Sequence, residues 1–533
     1  MLRLKPPARA TGGKDRGQRQ RGLIWWLVPV VPAAVALAVN LYHVGVPSLW
    51  RDEAYTIEAA RRSPGQIFAL LQHSDVVHGA YYLCMHLVIA LLGMSETAVR
   101  LPSVLATAVA AGFLAVLGRR LAARASVPLP EVAGALAGLL YGITPAVSYY
   151  AQEARSYAIV TALAVIATYL LDHALASEGR AWRWWAGYGV AIALTGLFNL
   201  LALLILVPHA VVVLVASGRV RTVLTWAGTG IAGAAVLTPV LLLAYAERGS
   251  VGWEGRPGFA SIATLVKNAG GSKQLVIPVL LLMAVSACAG LATGGRRVTP
   301  ALVATPWLIL PPAVLLAVSQ LHPLYNFRYV VFCMPAAALL TADGLAWIAR
   351  LAARVIRPRE EQAARPGAAP GLAAAAAWVP SAAITAIIAI ALIAPQHAIR
   401  KAGSRPDNLR RAAAIVRAGE QPGDVVFYLP INSRVLGSAY PGPFRKLHDI
   451  ALAMTPVASA TLNGTEVSAA RLASRFAGTR RVWLVTNDGH IIPPAVRPVD
   501  QEKLALLSGF QMVGRWHTGP SSMLTLFARG RAS

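Results

Sequence analysis

The sequence predicts a mostly α-helical, polytopic membrane bundle of about eleven spans, followed by a soluble α/β domain. Three observations predict it. The chain of 533 residues is 56% hydrophobic, with a mean hydropathy of +0.55, whereas soluble domains sit near 45–50% apolar. Apolar runs of about 17–25 residues recur along it, each matching the ~30 Å hydrocarbon core of a bilayer. From about His397 the composition shifts to short β-forming runs bounded by turn residues.

The N-terminal arm, residues 1–22, carries seven basic residues from Arg3 to Arg21 against Asp15 alone. It is expected to be disordered and cytoplasmic by the positive-inside rule. The first span, Leu23 to Val46, is too long for a signal peptide and lacks a small-residue cleavage site. It delivers Asp52 to the outer side. Residues 81–94 are apolar but only about fourteen long, the length of an interfacial helix.

If that segment lies flat, the charges keep one sign to the end. Leu101–Leu117 runs inward to Arg119, Arg120 and Arg124, and Val132–Val147 returns outward. Ala158–Leu175 goes in. Trp184–Phe198 and Leu200–Ala216 form a hairpin ending at Arg219 and Arg221. Val223–Tyr245 goes out, Leu275–Thr293 in, Ala301–Val318 out, and Val330–Ile348 in. The predicted membrane module is 23–349, the cytoplasmic linker 350–371, the last span 372–395 and the extracytoplasmic domain 396–533. The N-terminus is inside, the C-terminus outside, and the site faces out from a multi-pass protein of the plasma membrane.

A net charge of +26 raises the question of nucleic acid. The arginines sit in short loops between apolar runs, and no basic stripe with interleaved aromatics appears, so no nucleic-acid partner is expected. Cys84, Cys288 and Cys333 have no ligand spacing and read as small buried hydrophobes.

Under this topology four polar clusters share the outer face: Arg51-Asp52-Glu53, then His73 to His78, then Gln152-Glu153-Ala154-Arg155, and His322 to Tyr329. Acids at a membrane edge are expensive unless paired or facing water, so Asp52 and Glu53 are catalytic candidates. A carboxylate in a low-dielectric setting holds its proton more tightly, which suits a general base. The alternative is an ion pair with Arg51 that anchors the loop. Arg155 and Arg328, the latter beside Tyr329, present planar forks suited to phosphate. Asp75, His78, Glu153 and His322 are candidates for substrate or metal contact. His73, Asp75 and His78 offer the N and O ligands that a divalent metal such as Mg²⁺, Mn²⁺ or Zn²⁺ takes, but at no recognised spacing. Arg100 reads as structural, capping Glu96 at i, i+4.

These residues come in a familiar order: Trp50-Arg51-Asp52-Glu53-Ala54, His78 with Tyr81-Tyr82, Arg100-Leu101-Pro102-Ser103, Tyr150 to Tyr157, and Phe327-Arg328-Tyr329. Over about residues 20–350 the chain resembles the GT-C superfamily of integral-membrane glycosyltransferases. Within it the likeness is to protein O-mannosyltransferases and lipid A aminoarabinose transferases. The resemblance implies transfer of mannose or another pentose or hexose from a polyprenyl-phosphate donor to an acceptor hydroxyl. It prefers Asp52 over Glu53 as base, places Asp75 before the interfacial helix, and puts Glu153 and Arg155 against the donor phosphate or a metal. His78-Gly79-Ala80 departs from the His-Pro-Pro of many relatives. The resemblance does not extend to the C-terminal domain, which is assigned to the acceptor, a glycan, lipoglycan or protein. Two rival readings use the same cations or scaffold: a flippase for a polyprenyl-linked lipid, and a non-catalytic cell-envelope scaffold.

Overall fold

Inside a bilayer the backbone must satisfy its own polar groups, so apolar runs become helices. The computed structural model describes residues 12–177, 181–246, 255–292, 297–362, 374–486 and 497–530. Its first eight helices are α1 (Gly12–Leu41), α2 (Arg51–Ala60), α3 (Pro64–Leu71), α4 (Gly79–Leu92), α5 (Glu96–Arg124), α6 (Pro130–Ile143), α7 (Pro145–Ala151) and α8 (Tyr157–Ala176). The backbone of α1 takes in the second half of the basic arm, and the helix Met334–Gln362 takes in the first half of the expected linker. Residues 1–11 and 363–373, which hold the rest of both, lie outside the described residues.

Among the described residues six helices are long and apolar enough to cross a membrane, or eight if two bent pairs each count as one span. The chain is a multi-pass membrane protein with a strand-containing C-terminal region. A count of eleven would require the shorter apolar stretches Trp25–Leu41 and Val276–Gly290 to cross as well. It would also require the 18-residue helix Ala181–Phe198, with Arg183 in its first turn.

Helix α5 packs against α1, α6 and α8. Small residues allow the closest of these approaches. A Cβ on Gly134 would lie 2.4 Å from the Ala115 carbonyl oxygen, and one on Gly138 would lie 2.5 Å from that of Ala111. Glycines four apart on one helix face let backbones meet where lipid supplies no hydrophobic drive. The expected outward span at 132–147 is broken, with α6 and α7 meeting at 62°. Thr144 before Pro145 is forced into extended backbone (φ −69°, ψ 126°), which ends α6. The turn aims α7 and the polar loop after it at the segment that leads from α1 into α2.

The C-terminal region holds a four-stranded sheet in the order β1 (Val425–Leu429), β4 (Arg481–Thr486), β6 (Ser522–Ala528), β5 (Gln511–Gly519). Only β1 and β4 are parallel. A small antiparallel pair, β2 (Leu452–Met454) and β3 (Thr465–Glu466), lies beside it. One sheet face packs Phe427, Val482 and Leu484 into a core of its own. The other, with Val426, Trp483 and Val485, shares a core with Leu49, with Ala54 and Ile57 of α2 and with Tyr82 of α4. The sheet is therefore fused to that segment, not tethered beside it.

Polar contacts reinforce the fusion. Asp407, 1% exposed, accepts from the Arg51 backbone amide (3.2 Å), Arg51 Nη2 (3.4 Å) and Ser521 Oγ (3.2 Å). Glu96 accepts from Arg410 Nη2 and from the Tyr440 hydroxyl, both at 2.6 Å. Thus Arg51 anchors the domain, and Glu96 is held by Arg410 and Tyr440 where the sequence had offered Arg100. Hydrogen bonds to a charged group contribute about 1.5–3 kcal/mol each. Asp407→Ala is expected to loosen the sheet from the first loop and to expose the 398–408 connection to protease severalfold faster in detergent. An unchanged cleavage rate would contradict this.

Candidate active site

The helix-forming residues of α2 put two acids in its first turn, where the helix dipole favours negative charge. They then diverge. Glu53 is fully buried and both its oxygens are taken. Arg100 donates to it through Nε (2.8 Å) and Nη2 (2.7 Å), the Ala154 amide donates at 2.9 Å, and the Trp50 amide at 3.3 Å. The remaining Arg100 donors go to the carbonyls of Val44, Pro47 and Ser48. Removing one partner of such a buried pair costs about 3–5 kcal/mol. Glu53 fastens the site; Asp52 is the acid left facing the other way.

Asp52 is 18% exposed and accepts from Arg328 Nη1 at 2.7 Å. Arg328 is set by the side chain of Asn326, which accepts from the Arg328 amide at 3.2 Å and starts the 3₁₀ turn Phe327–Cys333. Its guanidinium also lies 5.2 Å from the Tyr329 ring centroid, a cation–π distance. Two sequence clusters 276 residues apart thus meet in one ion pair.

The other two clusters meet alongside. Arg155 Nη2 lies 2.6 Å from His78 Nε2, so that nitrogen accepts and the imidazole is neutral. Burial, followed by the Arg155 cation, brings His78 down to about 4. His78 also lies 3.8 Å from Asp75, whose other oxygen accepts from the Tyr82 hydroxyl. Asp75 adopts left-handed backbone (φ 63°), which Asp tolerates better than most residues, and this turns the chain into Val76–His78. Ser103 of α5 pins the Arg155 loop by donating to the Glu153 carbonyl (2.7 Å) and the Arg155 carbonyl (3.2 Å).

Glu153 is fully buried, and neither carboxyl oxygen has a hydrogen-bond partner among the described residues. Burial pushes its carboxyl up to about 8, with the charges of Glu53 and Asp52 adding to the rise against Arg405 and Arg155. Arg405 comes from the C-terminal segment and donates to the carbonyls of Tyr149 (3.0 Å) and Gln152 (2.8 Å).

Asp52, Asp75, His78, Glu153, Arg155, Arg328 and Tyr329 therefore come together. His322 is exposed on its loop, and no side-chain hydrogen bond or ion pair joins it to them among the described residues. His73 turns back to the Ala69 carbonyl (3.0 Å). The sequence reading missed Tyr157, whose buried hydroxyl has no hydrogen-bond partner among the described residues and which feels the charges of Arg155, Arg328, Asp52 and Glu153. Its signal was its place in the same polar run. Among the described residues no three His, Cys, Asp or Glu side chains gather as a cation requires, and Asp75 and His78 already engage Tyr82 and Arg155.

Residues 80–243 match the family model described as dolichyl-phosphate-mannose-protein mannosyltransferase. No curated protein sequence matches the chain. Among solved structures, ArnT from Cupriavidus metallidurans in the apo state is similar, with a TM-score of 0.59 at 15% identity over 95% of this chain and 98% of that one. The same protein bound to undecaprenyl phosphate gives 0.59 at 14% identity, over 93% and 97%. At such identity the likeness shows the fold, and at that level it bears out the GT-C resemblance.

A carboxyl whose folded value lies above its unfolded one keeps a proton in the folded state that the unfolded chain has released. Stability then falls as pH rises through that interval, for Glu153 from about 4.5 to about 8. His78, lowered to about 4 from 6.5, acts with the opposite sign: its contribution is present above 6.5 and is lost as pH falls toward 4. Glu153→Gln is expected to flatten the decline in melting temperature between about pH 6.5 and 8, where His78 no longer titrates. Parallel curves for variant and wild type would refute the buried protonated carboxyl.

Proposed function

We propose that this GT-C-fold chain is a glycosyltransferase. It moves a sugar, mannose or another pentose or hexose, from a polyprenyl-phosphate donor to an acceptor hydroxyl at the extracytoplasmic face of the plasma membrane. The observation that carries the reading is the Asp52–Arg328 pair, with Arg155 held beside it by His78. A base and two permanent cations stand together in one partly buried polar cluster, which is what displacement at a phosphate-bearing C1 demands.

In this reading the polyprenyl tail lies among the apolar helices and the donor phosphate takes up the fork of Arg328, joined by Arg155. Losing part of its ion pair leaves Asp52 free to accept. Asp52 removes the acceptor hydroxyl's proton as that oxygen bonds to C1. The bond from C1 to the phosphate oxygen breaks, and its electron pair leaves with the polyprenyl phosphate, giving inversion at C1. The guanidinium groups stabilise the charge gathering on the leaving phosphate. His78 stays neutral and directs Arg155. Glu153, protonated, offers a hydrogen bond to a substrate oxygen without adding negative charge near the phosphate. The acceptor is a glycan, lipoglycan or protein brought by the fused C-terminal domain.

The test is transfer of label from a radiolabelled polyprenyl-phospho-mannose to a polar acceptor by the purified chain. Asp52→Asn is expected to fold, to keep donor binding and to lose about 10²–10⁴ in rate. Arg328→Ala or Arg155→Ala is expected to lose about 10²–10³. Near-normal turnover in the Asp52 variant would remove it from the role.

A further inference from the structure

A hollow lies where the end of α2 meets the C-terminal domain. It encloses about 510 Å³ and is lined by Glu58, Arg61, Arg62 and Gln66 on one side and by Ser438 and Arg445 on the other. Arg62 is 2% exposed. Its Nη2 donates to the Thr461 carbonyl at 2.6 Å and lies 3.7 Å from Glu58, but Nε and Nη1 have no hydrogen-bond partner among the described residues. A buried guanidinium with two open donors is expensive in an otherwise closed protein, and a ligand oxyanion would satisfy it. Arg61 and Arg445, both exposed, give the hollow a net positive charge against Glu58.

The position is as telling as the charge. Glu58 follows Asp52 by six residues on the same helix, about 9 Å along its axis and roughly 120° around it. Tyr55 stands between them, its hydroxyl 3.4 Å from the Asn432 carbonyl. A molecule seated across the domain boundary would reach from the cationic hollow toward Asp52. We propose that this hollow binds a glycan carrying an oxyanion, a uronate carboxylate or a sugar phosphate, with Arg62 and Arg61 as its anchors. Placing that glycan as the acceptor's body rests on the transfer reading above; the binding itself does not.

Equilibrium binding to the full chain in detergent, without any donor, therefore tests it separately from catalysis. The probes are tetragalacturonate, mannose 6-phosphate and neutral maltotetraose. At least one anionic probe should bind wild type and weaken roughly tenfold in Arg61→Gln and in Arg62→Gln, the loss of one charge-assisted contact. Arg62→Lys, which keeps the charge without the fork, guards against a folding defect and should show intermediate binding. Whichever anionic probe binds identifies the oxyanion. No anionic binding, tighter binding of maltotetraose, or an equal loss in Arg515→Gln on the exposed edge strand would overturn the site. Transfer without this binding would leave the enzyme standing and the hollow refuted; binding without transfer would do the reverse.

Discussion

The site depends on a buried ion pair that does no chemistry in the proposed reaction. Glu53 and Arg100 are both fully excluded from solvent, a placement that is unfavourable unless every donor and acceptor is matched. Here they are matched. Arg100 spends its remaining donors on three carbonyls of the loop before α2, and Glu53 takes the Ala154 amide as well. One knot thus ties α5, the segment before α2 and the loop between α7 and α8 together. Asp52 and Arg155 each sit one residue from it, which fixes their approach without occupying them. Neighbouring residues on a helix point about 100° apart, so the acid that fastens cannot be the acid that faces Arg328.

The second constraint comes from the far end of the chain. Arg405 reaches under the Tyr149–Gln152 segment, its guanidinium 3.8 Å from the Tyr149 ring centroid, and its charge is felt by Glu153. Asp407 holds the Arg51 amide beside Asp52. The C-terminal domain therefore helps to position the backbone on which Asp52 and Glu153 sit. An acceptor bound by that domain would be presented to Asp52 by a surface that also holds Asp52 in place.

Much of this was legible in the sequence, because membranes enforce simple rules. Apolar runs gave helices, and positive charge between them gave an arrangement in which four polar clusters share a side. Three of those clusters, with Arg328 and Tyr329 of the fourth, do meet. What stayed hidden was long-range or locally disguised. Arg100 has Glu96 one turn away, a reasonable local partner, yet it pairs with Glu53, since only a deep multi-bonded site repays burying both charges. Arg51 looked like the neighbour of Asp52 and instead grips Asp407, 356 residues on. Apolar periodicity does not reveal the 62° bend at Pro145, although Pro after Thr144 is its cause. Strands β1, β4 and β6 announced themselves as apolar runs, while β5 is an exposed edge of mixed polarity and did not.

The central claim is that Arg328 and Arg155 form a seat for a phosphate and that Asp52 gives up its cation when that seat fills. The most direct measurement is a cryo-EM structure of the protein incubated with a polyprenyl phosphate. The account predicts the phosphate bonded to both guanidinium groups and the Asp52–Arg328 contact lengthened beyond hydrogen-bond reach. A phosphate bound elsewhere, with the 2.7 Å Asp52–Arg328 contact intact, would contradict it.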